Sequence, residues 1–137
     1  MLAGSWMYRS YLNNPDPVGG DPQKAADSIF GEGVFTLATP TDATVTGTFD
    51  MGGDYVLDLE GQVTPNADGG LTFEMAGVGR AGTPTAGWEY DYHATTAYLW
   101  PAGVDQIPSL VGTVLRARPH GSGQAGVTAS FVAVRRP

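Results

Sequence analysis

The residues of this chain best suited to chemistry are concentrated in one stretch, Trp88-Glu89-Tyr90-Asp91-Tyr92-His93, with Arg116 further along. Phenol hydroxyls supply directional hydrogen bonds, and a carboxylate becomes a usable base near neutral pH when burial raises its pKa. Asp91 and Glu89 are therefore candidate proton shuttles, and Tyr90 or Arg116 would polarise a substrate oxygen. A buried Arg116 also needs an anion, which Asp91, Glu89 or a ligand carboxylate would supply. Tyr8, Tyr90, Tyr92 and Tyr98, with Trp88 and Trp100, have the composition of a small-molecule pocket. They equally have that of a β-barrel core, which needs bulky residues to fill it.

Two histidines are present, His93 and His120. His93 shares a strand face with Glu89 and Asp91, opposite Trp88, Tyr90 and Tyr92, and hydrophobicity turns the aromatic face inward. A bulge would be needed to bring His93 or Asp91 inside. His120 stands in the turn Arg118-Pro119-His120-Gly121, which alternate up-and-down counting puts at the closed end, as a structural or exposed side chain. No His-x-His, no His-Glu-x-x-His and no cysteine occurs, so no metal site is expected. Gly77-Val78-Gly79-Arg80-Ala81-Gly82 leads into no helix that could hold a phosphate, so it reads as a strand end and turn. Gly121-Ser122-Gly123 lacks the elbow of a nucleophilic serine. No cofactor is expected.

The elements that must position these residues are strands. Period-two alternation predicts strands over 3–12, 29–39, 43–51, 55–64, 71–80, 88–99, 110–118 and 127–135, with turns rich in glycine, proline and aspartate between them. This predicts an all-β fold, an eight-stranded antiparallel up-and-down β-barrel in one domain spanning 1–137. Residues 13–28 form one long connection between the first two strands, with a short helical turn near 23–27. A loop of that length in a compact domain is usually functional or disordered. The connection 101–108 is expected at the same end, so that two loops converge on one mouth.

The chain opens with Gly4-Ser5-Trp6 and ends its last strand with Arg135. This Gly-x-Trp start, with an arginine closing the final strand, resembles the calycin barrels, the lipocalins and avidins. The resemblance implies that the first and last strands pair, that Trp6 plugs the closed end and that Arg135 lies across its ring. It also implies that the loop after the first strand caps the open end over a ligand. Tyr8 and Ser10 would then step up from Trp6 towards the mouth, and the avidin-like variant places Trp6, Tyr8 and Ser10 near a ureido-type head group. Tyr8 stands where the avidin pattern has Asn, which argues against biotin. By alternation Tyr55, Leu57 and Leu59 face inward, and Arg116 and Arg118 share a face.

Composition narrows the partners. Fourteen acids against seven Lys and Arg give a net charge of −7, which repels phosphate backbones and anionic membrane surfaces, so neither nucleic acid nor membrane is expected. The first strand begins within a few residues of Met1, so the chain reads as cytoplasmic, a secreted mature form being the alternative. The last strand is apolar on both faces, and Met7 and Tyr11 point outward from the first; a homo-oligomer, a dimer, is expected, associating face to face because a closed barrel has no free edge. The primary functional expectation is a barrel enclosing an apolar or aromatic small molecule in its lumen, held by Trp6, Tyr8, Ser10, Trp88, Tyr92, Tyr98 and Trp100. The alternative is a cofactor-independent isomerase, cyclase or lyase using Asp91, Glu89, Tyr90 and Arg116.

Overall fold

A computed structural model describes residues 1–137. Eight strands run in chain order: β1 (Gly4–Leu12), β2 (Ile29–Thr41), β3 (Thr44–Asp50), β4 (Val56–Pro65), β5 (Leu71–Gly79), β6 (Glu89–Thr96), β7 (Ser109–Arg116) and β8 (Thr128–Arg135). Each pairs antiparallel with the next, and β1 closes on β8. The architecture is the expected up-and-down barrel and is consistent with a calycin-like fold. The one helix, α1 (Pro22–Asp27), lies between β1 and β2, capped by Asp21, whose carboxylate accepts from the Gln23 and Lys24 amides.

Alternation along each strand divides the interior into layers. At the closed end Trp6 is buried and donates from Nε1 to the Leu2 carbonyl at 2.9 Å. The Arg135 guanidinium lies 4.9 Å from its ring centre, as the Gly-x-Trp pattern implies. Gly4 makes this approach possible: at φ +132° its missing Cβ would sit 3.0 Å from Arg135. The middle layer is a cluster of rings from Tyr8, Phe35, Phe49, Tyr92 and Phe131, with centroids 4.7–6.4 Å apart. Glycines face inward between these large side chains. A Cβ on Gly61 would be driven into the Glu74 carbonyl oxygen, and one on Gly77 would meet Leu57 and Leu59 at 3.1 Å. Small residues opposite large ones let eight strands close around a solid aromatic layer.

Antiparallel order assigns each connection to an end, and two expectations need correction. Residues 97–108 join β6 to β7 at the closed end, with Trp6, and not at the end where residues 13–28 emerge. The turn after β7 that carries His120 emerges beside residues 13–28, at the open end, not at the closed one. Both follow from parity: every odd strand of an up-and-down barrel ends where β1 ends. Tyr55 precedes β4 and is 45% exposed at the rim, not inside. Arg118 parts from Arg116, because β7 stops at Arg116 and the chain bends outward, where Arg118 meets Glu89 at 3.3 Å.

Candidate functional site

The open end gathers a polar line inside an aromatic rim. Tyr90, inward-facing on β6, pairs in register with Arg116 on β7. Arg116 Nε donates to the Tyr90 hydroxyl at 3.1 Å, and that hydroxyl lies 2.5 Å from His120 Nε2. The order of donors follows from chemistry. A guanidinium nitrogen only donates, so the Tyr90 oxygen accepts from it; with His120 in the tautomer that leaves Nε2 bare, the Tyr90 hydroxyl donates its own proton there. His120 is then neutral, with its proton on Nδ1. Desolvation, together with the positive charge of Arg116, pushes the His120 pKa below its ordinary value, which favours this state.

Three elements hold the line. Trp88, just before β6, stacks on the His120 ring at 3.9 Å and 13° between planes. Tyr55 from the β3–β4 turn packs against Trp88 at 5.9 Å. Phe30 comes from the opposite wall. The β1–β2 register slips between Ser10 and Tyr11, pairing Ser10 with Gly31 and Tyr11 with Ile29, and leaves Phe30 as the extra residue of a bulge. A bulge re-aims its side chain. Here the ring swings over the mouth, to 5.0 Å from the Arg116 guanidinium and 6.1 Å from Tyr90.

Beneath this layer lie Ser10 and Tyr8, both buried. Gly31 is inward-facing, and a Cβ there would be in van der Waals contact with Ser10 Oγ at 3.4 Å. Burial pushes the Tyr8 phenol well above its ordinary pKa, the Ser10 hydroxyl only partly opposing it. Tyr92 is raised for the same reason. Both are therefore neutral hydroxyls at physiological pH. They do not act as phenolate bases.

The structure brings Tyr8, Ser10, Trp88, Tyr90, Tyr92 and Arg116 to the interior or the mouth. It places the other sequence candidates elsewhere. Trp6 is the closed-end plug. Tyr98 and Trp100 sit in the closed-end connection, 63% and 68% exposed, their rings 5.1 Å apart. Glu89 points outward to Arg118, and Asp91 lies exposed on the outer wall with His93, which meets Glu74 at 3.3 Å. A shallow outer depression of about 460 Å³ includes Glu60, Glu74, Asp91 and His93. Its charged side chains are solvated, and no group of ligands suited to a metal forms there or elsewhere. Sequence reasoning missed His120 and Phe30. Strand parity could have found the first; the bulge that carries the second has no signature in the sequence. No protein-family model, curated protein or solved structure matches the chain.

Proposed function

We propose that this protein is a small-molecule-binding barrel whose ligand enters the open end and rests in the upper lumen. The observation that carries the reading is the Arg116–Tyr90–His120 line, set in a rim of Phe30, Tyr55 and Trp88 above a filled aromatic layer. A few directional polar groups converging within apolar walls are the composition of a ligand site. The aromatic middle layer limits how deep a ligand can go, so its body lies against the rim.

A second reading, a cofactor-independent isomerase, is favoured by the same line seen as a relay. Tyr90 oxygen takes a proton from substrate carbon while passing its own to His120 Nε2, so Tyr90 stays neutral, His120 becomes an imidazolium, and the negative charge builds on the substrate, where the Arg116 guanidinium offsets it. Return of the proton to another carbon completes an isomerisation with no net change in atoms or electrons. In this version Tyr90 and His120 fill the proton-transfer roles expected of Asp91 and Glu89.

Native mass spectrometry of freshly purified protein, followed by extraction, tests the binding reading. A stoichiometric small molecule lost on substituting Phe30→Ala supports it; a molecule retained by a variant with an occluded mouth would remove it. Tyr90→Phe separates the two versions. A binder keeps affinity within about tenfold, the worth of one neutral hydrogen bond; an enzyme keeps binding and loses turnover.

A further inference from the structure

Arg116 reaches the mouth without a carboxylate partner. The ion pairs of the protein are Arg80–Asp58, His93–Glu74 and Arg118–Glu89, all on the outer surface. Glu89, one residue before Tyr90, is taken by Arg118. In a chain with fourteen acids and seven Lys and Arg, an inward arginine facing no acid is a notable arrangement. Its guanidinium is clamped between Phe30 at 5.0 Å and Tyr90 at 5.8 Å. Nε donates to Tyr90 and Nη1 to the Gln124 carbonyl at 3.3 Å. Nη2 donates to no protein atom.

We infer that the mouth takes a small organic carboxylate with an aromatic or apolar body, its carboxylate on Arg116. The inference rests on the mouth reading above and adds the class of ligand. Three features support it. The two rings partly desolvate the guanidinium and fix its plane, which strengthens a charge-assisted bond and lowers the entropy lost in forming it. The neighbouring His120 is neutral and hydrogen-bonded, so it neither competes for the anion nor repels it. Trp88 and Tyr55, tilted 51° to one another, give the rim apolar surface beside the anchor for the body of the ligand.

The experiment is a nuclear magnetic resonance titration of the full chain with matched pairs, benzoate against benzamide and 2-naphthoate against 2-naphthamide. The acids should bind about tenfold or more tightly than their amides and shift the amide signals of Phe30, Trp88 and Arg116. Arg116→Gln should bring acid and amide to parity. Arg118→Gln removes the same charge from the outer wall and should leave the preference intact. Equal affinity of acids and amides at the mouth overturns the carboxylate inference alone, leaving the mouth reading in place. No shift at the mouth with any of the four overturns both. If Arg116→Gln does not fold, the acid-to-amide ratio of the unaltered protein still decides the question, and Arg116→Lys reports whether the fork geometry matters.

Discussion

At the scale of residues, the mouth is ordered by what each side chain cannot do. Arg116 cannot accept, so Tyr90 must; Tyr90 keeps one proton to give, and a His120 bare at Nε2 is placed to take it. His120 is therefore kept unprotonated in the fold. In a titration followed through the histidine ring signals, His120 should show a midpoint below its ordinary 6.5. Arg116→Gln should move that midpoint up. The effect on stability follows by linkage: below 6.5 the unfolded chain takes a proton that the folded histidine resists. Stability is thus fully present above 6.5 and falls as pH drops through the folded value. A midpoint at or above 6.5 would mean that the line is not assembled in solution.

At the scale of elements, strands position the site by alternation and by one departure from it. Tyr8 and Ser10 on β1, and Tyr90 and Tyr92 on β6, face inward through period two alone, and this was legible in the sequence. Phe30 was not, because a bulge is a property of how β2 pairs with β1, not of β2 itself. Inward glycines are the complementary device. Gly61→Ala places a methyl where the backbone of β5 runs, and should lower stability towards the upper part of roughly 1–3 kcal/mol in chemical denaturation. Gly69→Ala, in an open turn at φ +88°, meets no neighbour and should cost only its backbone strain. Equal losses at the two sites would contradict the close packing of β4 on β5.

At the scale of the whole molecule, the chain joins its own ends. Trp6 pairs in register with Arg135, the two stack, and Arg135 Nη1 donates to the Met1 carbonyl at 2.8 Å. Trp6→Ala should cost about 3–5 kcal/mol, since it empties a large buried volume where the barrel closes; a near-neutral effect would mean that Trp6 is not a plug. On the outer wall Val111 pairs with Val132 across β7 and β8, and in the next row Val134, Met7 and Val34 run in register across β8, β1 and β2. With Arg9 and Glu32 opposite one another within it, this stripe offers a second copy both apolar area and complementary charge. Sedimentation should give a dimer that Val132→Glu converts to monomer. A monomer for the unaltered chain at high concentration would end this expectation.

The division between sequence and tertiary structure follows from which interactions are local. Alternation, turn residues and the Gly4–Trp6 entry are short-range patterns, and they suffice to specify eight strands, an up-and-down order and the faces of Tyr8, Ser10, Tyr90 and Tyr92. The ends of the loops were also within reach, since parity is arithmetic once the strands are counted. Which side chains meet across the lumen was not. Trp88, Tyr90, Arg116 and His120 lie in or beside two strands, and Phe30 lies on the far wall; only closure of β8 onto β1 fixes the curvature that brings them together. Glu89 and Asp91 carry the right functional groups, but the alternation that turns Tyr90 and Tyr92 inward turns both outward, and β6 pairs with its neighbours without the bulge that would reverse it. A carboxylate's chemical type is written in the chain; its depth, and hence its pKa and its partners, belongs to the closed barrel.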